Sequence, residues 1–268
     1  MTVARALAIA ALCLAAAASG SAQAPVVNAR VERLAATRGL AREIQAVADR
    51  GVAAWIGYRV PIFRRAGATF QTTETCCGRC RLEPPTELIV LARVESTSLV
   101  EIRPVSVDCD IDAAGMPLIW FDAVNADDSV AWLTSLLTAT DRRFERVADK
   151  ALVALALHAS PAAAPPLVRV AREGATTRLR GQALFWLAQR VADQALPAIN
   201  AALDDDPELE VKKRALFALS QMKEEGLPRL MEVARTHKNA EVRRQAMFWL
   251  GQSKDPRAVT FFEQILLR

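Results

Sequence analysis

From residue 126 onward, apolar residues recur at helical spacing, and they do so in copies. "GQALFWLAQ" at 181–189, "KRALFALSQ" at 213–221 and "RQAMFWLGQ" at 244–252 align without gaps, and a weaker version, "DKALVALAL", stands at 149–157. The shared alanines Ala151, Ala183, Ala215 and Ala246 are spaced 32, 32 and 31 residues apart, and Leu155, Leu187, Leu219 and Leu250 keep the same steps. A second motif follows each run from Pro166, Pro197 and Pro228, with Val259 in the matching place, at a constant step of 31. Two motifs that hold one period define a repeat. Each unit reads as a helix pair. In the second copy Leu179, Ala183, Trp186 and Leu187 form the apolar stripe of a first helix of about 14 residues. The proline starts the second helix, where its missing N–H costs little. "DDDP" at 204–207 and "SKDP" at 253–256 punctuate the units. One pair cannot bury its stripe alone, so the four units of 126–268 have to stack.

The pattern before residue 126 is different. Val31, Leu34, Leu40, Ile44 and Val47 fall at helical spacing, which predicts a helix or a mobile lead-in over 25–50. Partly alternating, β-branched runs then predict strands at 55–62, 87–95, 99–107 and 117–124, with a loop over 63–86 and turns at "STS" (96–98) and "DAAG" (112–115). Pro104 requires an edge or a bulge for its strand. The expected fold class is α+β: a small antiparallel β-rich module over 51–125, followed by an all-α array of helix pairs over 126–268.

The first 24 residues have the build of a secretory signal: Arg5, then 13 apolar residues from Ala6 to Ala18, then small residues up to Pro25. A helix of that length covers roughly 20 Å, too short for a hydrocarbon core of about 30 Å. The expectation is an exported chain, periplasmic or secreted, with no membrane span once the signal is removed. The net charge of +4, from 34 basic and 30 acidic residues, is too weak an excess to point to nucleic acid.

Export changes the reading of the cysteines. Cys76, Cys77, Cys80 and Cys109 are even in number, which favours disulfides, and their three pairings stay open. A bridge from the cluster to Cys109 would close a loop of about 30 residues, worth roughly 3–4 kcal/mol on the chain-entropy model. The Cys77–Cys80 C-x-x-C, with Arg79 inside it, is the alternative: a thiol-disulfide site. The pair of knuckles usual for zinc is absent, so no metal is expected. Asp108, Asp110 and Asp112 alternate, but the glycine and glutamate of a calcium loop are out of register. Both histidines read as structural or solvated, and His158 is expected to end a helix and favour its carboxyl end. His237 is expected in a linker. No catalytic set and no cofactor emerge.

A polar loop followed by Val-Arg-x-x-Ala-x-x-x-Leu resembles the HEAT repeat, in particular its short bacterial, phycobilisome-lyase-like type. The matching residues are Val211, Lys212, Ala215 and Leu219; Val242, Arg243, Ala246 and Leu250; and Leu179, Arg180, Ala183 and Leu187. The resemblance implies an α-solenoid and a protein-binding scaffold. It also brings two enzyme types, bilin lyases and a di-iron hydroxylase. The hydroxylase pattern needs His-Glu pairs, and neither His158 nor His237 is followed by Glu. A bilin-lyase-type or thiol-disulfide activity at Cys76–Cys80 is the alternative to the scaffold.

Helix angles single out one further set. With Leu179 at zero and about 100° per residue, Phe185 falls near 240°, almost opposite the stripe of Ala183, Trp186 and Leu187. Gln182 and Gln189 flank it. Arg214, Phe217 and Gln221, then Gln245, Phe248 and Gln252, repeat the arrangement, and Lys150, Val153 and Leu157 hold it in the first copy. Either the phenylalanines fill the gap against the next unit, or they form an exposed ladder for another protein. The candidate binding residues are Phe185, Phe217, Phe248, Gln189, Gln221 and Gln252. The cations Arg180, Lys212, Lys213, Arg243 and Arg244 are expected to pair with loop acids such as Asp204–Asp206 or with neighbouring repeats.

Overall fold

The computed structural model describes residues 26–63, 85–138, 142–190 and 192–267. The expected signal, most of the 63–86 loop and three of the four cysteines lie outside the described residues.

The N-terminal part is a five-stranded sheet in the order β2 (Val31–Ala35), β7 (Leu118–Asp122), β3 (Ala54–Pro61), β4 (Glu87–Glu95), β5 (Ser98–Ser106). A second, two-stranded sheet pairs β1 (Val26–Val27) with β6 (Ile111–Asp112). The strands fall close to the predicted ones, and Ser96-Thr97 closes the β4–β5 hairpin with Glu95 opposite Ser98. Pro104 sits in edge strand β5, where a missing donor costs no ladder bond on its outer side.

The sheet is mixed rather than antiparallel. β7 runs parallel to both β3 and β2, with Leu118 opposite Trp55 on one side and Val31 on the other. A two-residue turn joins β4 and β5, and the longer connection after β5, which includes β6, carries β7 back across the sheet into the slot beside β3. The lead-in also differs from its expectation. Val31 and Leu34 belong to β2, and helix α1 (Leu40–Ala48) begins only after Gly39, whose φ of +89° turns the chain. Val31 and Leu34 fit helical spacing by coincidence; the open edge of β7 recruits them as a strand.

Alternation along the strands makes two cores. Ile56, Tyr58, Val60, Leu88, Val90, Ala92, Ile119 and Phe121 face the helices and join one continuous cluster with α1 and the array. Trp55, Ile89, Leu91, Val105, Leu118 and Trp120 form the other face, packed with Cys109, Ile111 and Ala113. Gly57 makes room there: a Cβ would lie 2.8 Å from a ring carbon of Trp120. Helix α2 (Ala126–Ser135) is capped by Asn125, and the buried Tyr58 hydroxyl meets Ser129 Oγ at 3.0 Å, fastening the sheet to α2.

Four helix pairs follow: α3 (Arg142–Leu157) with α4 (Ala164–Glu173), α5 (Thr177–Arg190) with α6 (Ala192–Asp205), α7 (Leu209–Gln221) with α8 (Leu227–Thr236), and α9 (Ala240–Gln252) with α10 (Pro256–Leu266). The first helices pack in succession, α3 on α5, α5 on α7, α7 on α9, and α3 also packs on β5. The repeated alanines and leucines are buried throughout. Pro166 and Pro228 lie in the first turn of their helices as expected, and Pro256, read as loop punctuation, is the first residue of α10. Pro197 does not follow Pro166 and Pro228. The short connection from α5 starts α6 at Ala192, so Pro197 lies exposed inside the helix.

The buried arc of the first helices is also wider than a single stripe. In α5 it takes in Leu179, Gly181, Ala183, Leu184, Leu187 and Ala188, about 200° of the circumference. A first helix touches the first helices before and after it as well as its own partner, so its flanks are covered too. Trp186, predicted as core, lies on the rim of this arc and is half-buried.

Candidate protein-binding face

The outer face of the first helices carries a continuous line of aromatic rings. Phe185 of α5 stacks on Phe217 of α7, with centroids 5.8 Å apart and planes within 6° of parallel. Phe217 in turn meets Trp249 of α9 at 5.1 Å. Trp249 holds Phe248 edge-on at 5.0 Å, and Trp186 does the same for Phe185 at 5.2 Å. Such contacts contribute about 0.5–1.5 kcal/mol each beyond area burial. Phe185 and Phe217 are half-buried, whereas Phe248 is 52% exposed. The two readings of the phenylalanines therefore meet in one arrangement. Phe185 and Phe217 each bridge to the next unit with one side and meet solvent with the other, whereas Phe248 rests on Trp249 of its own helix and is open.

The amides run beside this line. Gln189 and Gln221 are half-buried, Gln221 donates to Ser220 Oγ at 3.3 Å, and Gln252 is exposed. Gln182 Oε1 and Trp249 Nε1 are buried without a hydrogen-bond partner. Trp249 extends the set beyond the residues read from the sequence. Its spacing is that of Trp186, whose angle near the core stripe concealed its part in the outer line.

The cations at the helix starts are held internally. Arg180 forks onto Asp206 at 2.8 and 3.2 Å and also donates to the Gly174 carbonyl at 3.0 Å. Its counterparts do the same kind of work: Lys212 donates to the Leu203 carbonyl, and Arg243 to the carbonyls of His237 at 2.7 Å and Lys238 at 3.2 Å. Burial lowers the Lys212 pKa. Lys213 pairs with Glu210 and Glu241, and Arg244 with Glu241. Arg180 meets the expected loop acid and Lys213 reaches Glu241 of the neighbouring repeat, but Lys212 and Arg243 bond carbonyls instead, and Arg244 pairs within its own helix.

His237 is a connector as well as a linker residue. Its Nδ1 accepts from Asn239 N at 3.1 Å, so Nε2 carries the proton and donates to the Leu203 carbonyl at 3.2 Å. His158 corrects its expectation more strongly. It is fully buried where the end of α3 meets the end of β3. Phe63 N donates to the Leu157 carbonyl at 2.6 Å, and Ala159 N to that of Pro61 at 2.8 Å. Buried Arg190 closes this joint, donating to the carbonyls of Ala156 (2.6 Å), His158 (2.8 Å) and Ser160 (3.4 Å) with its guanidinium 4.4 Å from the Phe63 ring. Burial first, then the Arg190 charge, push the His158 pKa down to about 4, against the pull of Asp127. The imidazole is neutral at neutral pH and accepts from Ser160 N at 3.1 Å; it supplies no charge to the helix end.

Of the alternating aspartates, Asp112 holds a turn. Asp112 accepts from Ala114 N at 2.8 Å and Asn28 Nδ2 at 3.2 Å. Among the described residues no three His, Cys, Asp or Glu side chains gather as metal ligands. Cys109 is buried in the sheet's second core, and Cys76, Cys77 and Cys80 lie outside the described residues. No helix among the described residues is long and apolar enough to cross a membrane.

Residues 196–268 match the family model for HEAT repeats. The match begins within α6 and covers the last two helix pairs, so Phe217, Phe248, Gln221 and Gln252 lie within it while Phe185 and Gln189 precede it. It supports a HEAT-repeat family for the helical part. No curated protein matches the chain.

Proposed function

We propose that the protein is a non-catalytic scaffold, an α-solenoid that binds another protein across the outer face of its first helices. The observation that carries this reading is the line Phe185–Phe217–Trp249–Phe248, partly open to solvent and bordered by glutamines. Large rings with one free side next to amides are what binding hot spots are made of. The succession of first-helix contacts and the HEAT-repeat match over 196–268 support the solenoid. The reading extends to the short bacterial type of the repeat and to an exported protein, periplasmic or secreted. Support for export comes from the apolar leader and from the even set of four cysteines beyond it, of which Cys109 is buried.

Affinity capture from the envelope fraction of the source cells, with Phe248→Ser and the triple Phe185→Ser, Phe217→Ser, Phe248→Ser variant as controls, tests this function. A protein retained by the wild type and lost with Phe248→Ser, whose melting temperature stays unchanged, is the expected result. Equal retention by the wild type and both variants would refute the aromatic face.

A further inference from the structure

Along α5, α7 and α9 every basic side chain but one is engaged inside the protein. Arg180, Arg190, Lys212 and Arg243 hold carbonyls or a buried acid. Arg178 pairs with Asp149, Lys213 with Glu210 and Glu241, and Arg244 with Glu241. Arg214 is the exception. It is exposed, and among the described residues its guanidinium makes no hydrogen bond or ion pair. Its stem is fixed all the same. Gly181 stands on α5 where the other first helices carry Asp149, Lys213 and Arg244, and a Cβ there would run into Arg214 Cδ. The missing side chain leaves a notch that the Arg214 methylenes fill, so the charge is carried at the border of α5 and α7. Arg214 also precedes Phe217 by three residues, the spacing that sets two side chains next to each other on a helix. An anchored, unpaired guanidinium thus stands beside the stacked Phe185 and Phe217 rings. Part of its side-chain entropy is already lost before any partner arrives.

The amides suit a different group. Gln189, Gln221 and Gln252 each follow a phenylalanine by four residues and form a row across the three helices. Gln189 and Gln252 make no hydrogen bond among the described residues, and Gln221 uses only its amide nitrogen, toward Ser220. A glutamine both donates and accepts. So does the backbone of an extended chain, whereas a helix satisfies its backbone groups internally.

We propose that the aromatic face, on the reading of it as the binding site, receives an extended segment of another protein that crosses α5, α7 and α9 with apolar side chains on the rings and an Asp or Glu carboxylate on Arg214. Charge complementarity carries the choice: a carboxylate completes the one basic side chain that the fold leaves unpaired, and it matches the planar fork of a guanidinium. The glutamine row meets the backbone of the segment. The partner's segment is therefore acidic at its centre as well as apolar.

Random dodecapeptides displayed on phage and selected on the full chain supply the probe, and the enriched peptides are then synthesised for fluorescence anisotropy. The expected peptides carry Asp or Glu among apolar residues. Arg214→Met, which keeps methylenes over Gly181 and leaves the melting temperature in place, weakens their binding by about tenfold or more. Arg214→Glu weakens it further, and a Lys in place of the peptide's acid restores it. A selection that enriches no acidic peptide, or acidic peptides indifferent to both Arg214 variants, would overturn the proposal. Phe248→Ser separates the two levels. Peptides that lose binding with Phe248→Ser but not with Arg214→Met remove Arg214 and leave the aromatic face standing; peptides indifferent to all three variants remove both.

Discussion

Acidification should weaken the joint between sheet and helices through one residue, His158. Its folded pKa of about 4 lies below the ordinary 6.5 because the imidazole is buried and faces Arg190. The unfolded chain therefore binds a proton that the folded chain resists over the window between those values. Stability is full above pH 6.5, falls as the pH drops through the window, and stops falling on this account below about pH 4. The gap corresponds to roughly 3 kcal/mol, a large part of the stability of an ordinary domain. Protonation cannot be relieved locally. His158 Nδ1 already accepts from Ser160 N, and the adjoining guanidinium is fixed on three carbonyls. Asp127, which accepts from Ser160 Oγ at 3.1 Å, is the one neighbour favouring the charged form. The measurement is urea unfolding from neutral pH to about pH 4, for the wild type and His158→Asn, whose amide oxygen can take the place of Nδ1. Carboxylates titrate in both proteins, so the difference between the two curves isolates the histidine. The variant should start less stable and lose less on acidification. Parallel curves would show that His158 is not held neutral by burial, and would sink the argument.

The aromatic line makes a graded forecast. Phe217→Ala, which removes a ring stacked on Phe185 and tilted against Trp249, should cost about 2–3 kcal/mol, whereas Phe248→Ala at the open end should cost under about 1 kcal/mol in thermal unfolding. Similar costs would mean that the rings do not stack as described. Gly57→Ala places a Cβ against Trp120 and Leu91 Cδ2, and should destabilise by about 1–3 kcal/mol with a change in tryptophan fluorescence. An unaltered spectrum and midpoint would show that the sheet yields there at no cost.

The period of 31–32 residues was legible because each unit must bury the same alanine and leucine, and identical burial selects identical residues. The pairing of Arg180 with Asp206 was legible as a loop acid beside a helix start, but the carbonyls that hold Lys212 and Arg243 were not, because they belong to the end of another helix. The strands were legible from alternation, and a single proline narrowed β5 to an edge or a bulge, of which the sheet shows the edge. The order of the strands was not. Val31 and Leu34 pattern like a helix until β7 offers them an edge, and that edge exists only after β7 has crossed back beside β3. The side of Trp186 and the burial of Leu184 likewise depend on the neighbours that flank α5. His158 shows the difference most sharply. Local sequence places it at a helix end, where a positive charge is favoured. Only the approach of β3 and of Arg190, from 32 residues away, removes it from water and decides that it is neutral. Periodicity records what each element does alone; which faces meet, and which groups lose their water, is set by contacts between elements distant in the chain.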